Sequence, residues 1–279
     1  MTYGRSFGAI ALFLLGSSSA MAGVVVNSTY TKLDTKEASP ATTYIDTDRL
    51  KLVSQDVTVI FRGDTNRMWI IQPKDKTYTE MTAETMQQLG QRLAGAQAQL
   101  GAAQAQLQAQ MAQMPPEQRA MMQQMLAGRG LGGLGGPGGT PPAPPQVSFV
   151  KSGGSKAVAG MRCDNYSKTS NGEKQADLCI APASAAGITA GDLQVFERIG
   201  QFIQPIASSP LVPRMDYTEM TEMTKAIGFS GFPVESTMYL QGRPNLQQTV
   251  NKIERTTIPA GTYDLPAGLT KRDMPGMPR

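Results

Sequence analysis

The sequence predicts an α+β protein in which helices lie across an antiparallel β-sheet. The stretch 49–81 contains four short runs rich in β-branched and aromatic residues, separated by a Gly-Asp pair and a Pro-Lys-Asp triplet. Connections this short join only antiparallel neighbours. Apolar residues recur at helical spacing in two other places, 86–107 and 192–206, which predicts the helices.

Composition narrows the functional classes. The 279 residues carry 26 Lys plus Arg against 22 acids, a net charge of +4, without a dense basic cluster. Nucleic acid is therefore not a predicted partner. The chain has no His, which removes Ser-His and Cys-His nucleophiles and His-ligated zinc. We expect a protein that is not an enzyme, with no cofactor and no metal.

Residues 1–22 are typical of a secretory signal peptide. Arg5 precedes a short apolar run, and Ala20-Met21-Ala22 supplies a small-x-small cleavage pattern. The apolar run is about half the ~20 residues that a membrane-spanning helix needs. The sequence predicts cleavage after Ala22, a periplasmic location and no transmembrane segment.

The N-terminal part of the sheet domain is assigned to residues 23–81. Besides the four runs, Val24–Leu33 and Thr42–Val53 are expected to be strands joined through Ser39-Pro40. Trp69, the only Trp of the chain, lies in a run that is apolar on both faces.

Residues 82–127 form an Ala/Gln/Met-rich helical segment with Thr82 as the expected N-cap. Its apolar positions alternate in steps of three and four, which is a heptad pattern thinned by small Ala side chains. A long helix laid over the sheet, a self-associating coiled coil over 86–107 and partial disorder all remain open. Residues 128–146 are a low-complexity Gly/Pro-rich linker.

The C-terminal part, 147–279, contains two expected hairpins. A three-residue loop at 170–172 would pair residues whose numbers sum to 342, which places Cys163 opposite Cys179. Two Cys in an exported protein predict one disulfide, whose closed loop contributes roughly 3 kcal/mol. Strands at 234–241 and 246–257 are expected around a loop at 242–245.

Two helices are expected between these hairpins. Asp192–Ile206 places Val195, Ile199, Phe202 and Ile206 on one face. A shorter helix is expected from Asp216 to Ile227, ending at Gly228.

Two segments carry a resemblance to a known family. VIFRGDTNRMWIIQPKDKTYTEMT (59–82) followed by VAGMRCDNY (158–166) resembles a family of bacterial envelope proteins of unknown function. That family is similar in architecture to the LolA/LolB lipoprotein carriers. The resemblance implies a curved antiparallel half-barrel closed by helices over an apolar cavity.

The predicted function is the binding of an apolar ligand (a lipid, an acyl chain or a lipoprotein) without a covalent step. The alternative is a structural or assembly protein that binds a partner, or itself, through the heptad helix. A shift of one residue in the predicted alternation of strand faces would place Trp69 and Ile71 in the cavity instead of Met68 and Ile70. The candidate lining residues are Val57, Val59, Phe61, Met68, Ile70 and Tyr78 from the sheet and Phe196, Ile199 and Phe202 from the helix.

Overall fold

The computed structural model describes residues 22–113, 115, 117–118, 146–207 and 219–273. The predicted signal peptide up to Met21 and the linker up to Pro145 lie outside this part of the chain. The helices are α1 (Ala83–Ala112), α2 (Ala190–Ala207) and α3 (Glu219–Ile227). The strands are β1 (Ala22–Lys32), β2 (Ala38–Ile45), β3 (Arg49–Ser54), β4 (Thr58–Arg62), β5 (Arg67–Gln72), β6 (Thr77–Thr82), β7 (Val147–Val158), β8 (Met161–Ser170), β9 (Glu173–Pro182), β10 (Gly231–Leu240), β11 (Arg243–Thr257) and β12 (Thr270–Lys271).

All twelve of these strands belong to one large, open and curved sheet, as expected for an α+β half-barrel. Their order is β12-β6-β5-β4-β3-β2-β1-β11-β10-β9-β8-β7. β1 to β6 form one meander and β7 to β11 the other, and the two meet where β1 pairs antiparallel with β11. β12 pairs in parallel with β6. The long connection from β6 to β7 therefore links opposite regions of the sheet.

Two predicted boundaries in the N-terminal meander were wrong. The expected strand at 42–53 is two strands, because the chain turns at 46–48 and β2 pairs back onto β3. The buried Asp46 carboxylate accepts a hydrogen bond from the Thr47 N–H at 2.7 Å and forms an ion pair with Arg49. The Ser39-Pro40 connection lies inside β2.

The two predicted hairpin loops in the C-terminal meander, and the register predicted for the first of them, were also wrong. Asn171 and Gly172 have φ of +52° and +82°, and Gln241 and Gly242 have φ of +52° and +74°. Consecutive positive φ values are typical of two-residue type I′ turns. The loops are therefore 171–172 and 241–242, shorter than the expected 170–172 and 242–245.

The predicted disulfide forms even though the predicted register does not. Cys179 lies opposite Asn165, so Cys163 is its diagonal neighbour two residues along β8. The Cα atoms of Cys163 and Cys179 are 5.3 Å apart, the sulfur atoms are bonded, and both residues are buried. This Cα separation lies within the range that a disulfide bridges, so the diagonal pair can be joined.

Helices α1 and α2 both begin at reciprocal capping contacts. The Thr85 N–H donates to the Thr82 hydroxyl at 3.3 Å, and the Thr82 N–H donates to the Thr85 hydroxyl at 2.7 Å. At α2, Thr189 N–H donates to the Asp192 carboxylate at 2.7 Å, and Asp192 N–H donates to the Thr189 hydroxyl at 3.3 Å. These contacts satisfy backbone donors that a helix start leaves free.

Three apolar clusters stabilise the sheet. The largest lies on the face that carries α2, here called the inner face, and joins residues of both meanders to Val195, Ile199 and Phe202. A second lies on the outer face of the N-terminal meander around Trp69 and Tyr263. The third joins β7, β8 and β9 to α3. Both faces of the N-terminal meander therefore carry an apolar cluster.

Candidate functional site

The inner face of the N-terminal meander brings together most of the predicted lining residues. Phe61 pairs with Met68 across β4 and β5, and both are buried in the cluster that contains Ile199 and Phe202. The rings of Phe61 and Phe202 meet edge to face with centroids 5.6 Å apart. Phe196 is partly buried against the same cluster. This part of the predicted site is a closely packed core in the structure.

A neighbouring row on the same face is only half-buried. Leu52 pairs with Val59, and Val59 pairs with Ile70, so the three side chains lie side by side on β3, β4 and β5. Leu52 and Val59 pack against the edge of the main cluster, and all three are of intermediate exposure. Val57, also partly exposed, precedes β4 with the same alternation. We call Leu52, Val59 and Ile70 the apolar row.

Tyr78 is not brought together with the other candidates. It pairs with Ile71 across β5 and β6, and it packs with Trp69 and Ile71 on the outer face. Met68 and Ile70 thus lie on the inner face, whereas Trp69 and Ile71, the alternative lining pair, lie on the outer face. Leu52, which alternates with Lys51 in β3, belongs to the apolar row but was absent from the predicted set.

The outer face is covered by the C-terminal segment 258–272, here called the strap. Ile258, Tyr263, Leu265 and Leu269 pack over Trp69. Polar contacts hold the strap along its length: the Lys51 ammonium donates to the Thr262 carbonyl at 2.9 Å, and that of Lys271 to Glu80 at 2.5 Å.

Three pKa shifts follow from the contacts between the strap and the sheet. Burial lowers the pKa of Lys51, and the hydrogen bond from Lys271 lowers the pKa of Glu80. Burial likewise raises the pKa of the Tyr263 hydroxyl, over whose ring the Arg49 guanidinium lies at 4.9 Å. Each shift has a structural cause in the contact between strap and sheet.

A separate pocket of about 450 Å³ lies where the β4–β5 turn, the start of α1 and the exposed face of α2 meet. Its walls carry four side-chain amides, one carboxylate and one guanidinium. Of the predicted lining residues, only Phe202 contributes to it. Sequence reasoning missed it because its six polar residues are exposed and come from three separate parts of the chain. Its lining residues are Gly63, Asn66, Ala83, Gln87, Gln194, Glu197, Arg198, Gln201, Phe202 and Pro205.

The described residues do not form a metal centre or a membrane-spanning helix. No group of three or more His, Cys, Asp or Glu side chains converges in this part of the chain. Within the same residues, no helix combines the length and the apolar character needed to cross a bilayer.

No protein-family model and no curated protein matches the chain. Among solved structures, it is similar to a crystal structure of MucB, with a TM-score of 0.36 and 10% identity over 90% of this chain and 60% of that one. A complex of Pseudomonas aeruginosa MucA and MucB gives a TM-score of 0.34 and 10% identity, over 86% and 54%. A structure of PNGF-II gives a TM-score of 0.36 and 5% identity, over 91% of this chain and 31% of that one. The chain thus spans 60% or less of each of these three chains, and the likeness assigns neither a family nor a function.

Proposed function

We propose that this chain is an exported, non-enzymatic binding protein of the cell envelope that holds an apolar ligand against the apolar row. The observation that supports this most directly is the exposure of that row. Leu52, Val59 and Ile70 lie in register and half-buried, beside a row (Leu50, Phe61 and Met68) that is at most 4% exposed. Covering adjacent apolar side chains releases free energy without any covalent step.

The ligand class we propose is a lipid, an acyl chain or the acyl end of a lipoprotein. The row runs across three strands and is bounded by Thr43 on β2 and Thr79 on β6. An apolar strip with polar ends suits a chain laid across the strands. The disulfide supports export, because such bonds persist in oxidising compartments such as the periplasm.

The binding experiment changes two residues of the apolar row and no residue of the buried row beside it. We expect Val59→Asp combined with Ile70→Asp to weaken binding of a fluorescent fatty acid by roughly tenfold or more, because a charge replaces apolar contact. Val150→Asp with Met238→Asp is the matched control, since these side chains are 58% and 39% exposed away from the row. Equal binding by both variants, with unchanged thermal unfolding, contradicts the proposal.

A second candidate function, assembly through α1, is favoured by a different observation. α1 is 30 residues long, yet every described side chain from Gln97 onward is exposed. A helical stretch with exposed side chains gains little stability from packing within the monomer, and a partner helix would stabilise it. The heptad stripe at 86–107 identifies the face that would pack.

Its test uses two matched pairs of substitutions on α1. Ala96→Asp with Ala103→Asp places charges on the stripe, whereas Ala98→Asp with Ala105→Asp places the same charges off it. We expect only the first pair to reduce the oligomer mass measured by light scattering. A monomeric parent chain, or equal effects of both pairs, argues against self-association.

A further inference from the structure

The pocket between the β4–β5 turn and the two helices, here called the polar pocket, has the chemistry of a peptide site. We propose that it binds a short extended stretch of polypeptide from a partner protein. The proposal is independent of the apolar row, because the two sites share no residue. The polar pocket lies against the exposed face of α2, and the apolar row lies at the edge of the buried cluster.

Four side-chain amides carry the first part of the argument. Asn66 lies in the β4–β5 turn, Gln87 on α1, and Gln194 and Gln201 on α2. Each amide offers both a donor and an acceptor, which is the pattern that a peptide backbone presents. Within the described part of the chain, none of these side chains forms a hydrogen bond. Their hydrogen-bonding capacity is therefore open to a ligand.

Two charged side chains in the same pocket are also available to a ligand. Neither Glu197 nor Arg198 forms an ion pair with any described residue, although ion pairs are frequent elsewhere on this surface. Together they give the pocket a net charge of zero with one site of each sign. Such a pair suits a peptide that carries both an acidic and a basic side chain.

Two glycines fix the walls of the pocket. A Cβ on Gly63 would lie 2.7 Å from the Asp48 carbonyl oxygen and 3.1 Å from the Arg198 side chain. A Cβ on Gly90 would lie 2.5 Å from the Pro205 carbonyl oxygen, so α1 and α2 approach closely only because Gly90 has no side chain. Close packing of the backbone therefore fixes the β4–β5 turn, α1 and α2, the elements that carry the pocket, relative to one another.

The remaining walls favour a peptide over a sugar. Phe202 is the one aromatic residue of the pocket, is only 7% exposed, and meets Phe61 edge to face. It therefore presents no open ring face on which a sugar could stack. Ala83 and Pro205 supply the other apolar side chains of the pocket wall. A volume of about 450 Å³ lies within the range of small-ligand sites.

The test observes the proposed ligating groups directly. The side-chain NH2 groups of Asn and Gln give their own signals in ¹⁵N-correlated NMR spectra of the full chain. On titration with acetyl-Lys-Ala-Glu-amide, we expect saturable shifts of the Gln87, Gln194 and Gln201 signals. Maltotriose at the same concentrations is expected to leave them unchanged.

Substitutions complete the test. Gln194→Ala with Gln201→Ala is expected to weaken peptide binding by about fivefold or more, as loss of direct hydrogen bonds requires. Gln88→Ala with Gln204→Ala, exposed on α1 and α2 but outside the pocket, is the control and leaves binding unchanged. Shifts with maltotriose in place of the peptide, no saturable shift with the peptide, or equal loss in both variants overturns the proposal.

Discussion

Helices α1 and α2 contact each other where Gly90 meets Pro205, yet they are stabilised in opposite ways. α2 buries a continuous face, including Val195, Ile199 and Phe202, against the inner face of the sheet. α1 is longer but buries only Met86 among its described side chains. The comparison teaches that an apolar face with large side chains anchors a helix, whereas length and Ala content do not.

The largest effect is expected where α2 is most deeply anchored. Phe202→Ala removes a ring packed edge to face on Phe61, and we expect about 3–5 kcal/mol of lost stability from the cavity it leaves. Denaturant unfolding measures this. Gln204→Ala, exposed on the same helix, is the control and should change the free energy of unfolding by less than about 0.5 kcal/mol. Similar losses for both variants would show that α2 is not anchored through its buried face.

An intermediate effect is expected at the start of α2. Asp192 is 5% exposed and forms an ion pair with Arg255 on β11. Burial alone would raise the pKa of Asp192, but the hydrogen bonds from Thr189 and Arg255 together lower it by more, so the net shift is downward. We expect Asp192→Asn to cost about 1.5–3 kcal/mol near neutral pH, the usual contribution of hydrogen bonds to a charged group.

The pH dependence of this contact has a definite sign. A carboxyl whose folded pKa is lowered stabilises the fold above its unfolded value of about 3.9 and loses that contribution as pH falls through the folded pKa. The difference in stability between the parent chain and Asp192→Asn should therefore shrink below about pH 4. Unfolding curves at several pH values measure it. A difference that stays constant down to acid pH would contradict the assigned role of the charge.

The smallest effect on global stability is expected in the distal half of α1. Ala102→Pro disrupts an exposed helix interior, at a local cost of about 3 kcal/mol. Because the described side chains from 97 onward are exposed, we expect the helical circular dichroism signal to fall while the unfolding midpoint stays the same. A drop in the midpoint comparable to that of Phe202→Ala would show that this half of α1 is packed against the rest of the protein.

Much of the fold was predictable because its signals are local. The face of α2 follows from apolar spacing, and the start of α1 from Thr82. The disulfide was predictable because the chain has only two Cys. The two-residue turn at Asn171-Gly172 could also have been predicted, because Asn-Gly is the preferred pair of a type I′ turn. The turn at Gln241-Gly242 could not, since positive φ is uncommon for Gln.

The candidate site was predictable only in part. Alternation correctly grouped Val59, Phe61, Met68 and Ile70 on one face, but it could not show which of them α2 would bury. Tyr78 fell on the other face because the register of β6 on β5 is set by pairing across the β5–β6 turn. The ligand-binding role of these residues stays a prediction.

The sequence by itself determined the local elements: alternating strands, capped helices, turn residues and a single cysteine pair. Only the tertiary structure decided which apolar surfaces are covered. The strap reaches Trp69 from the far end of the chain, and Lys51 bonds to Thr262 across 211 positions. Periodicity within one segment carries no information about such contacts, because burial depends on what another segment brings to the surface.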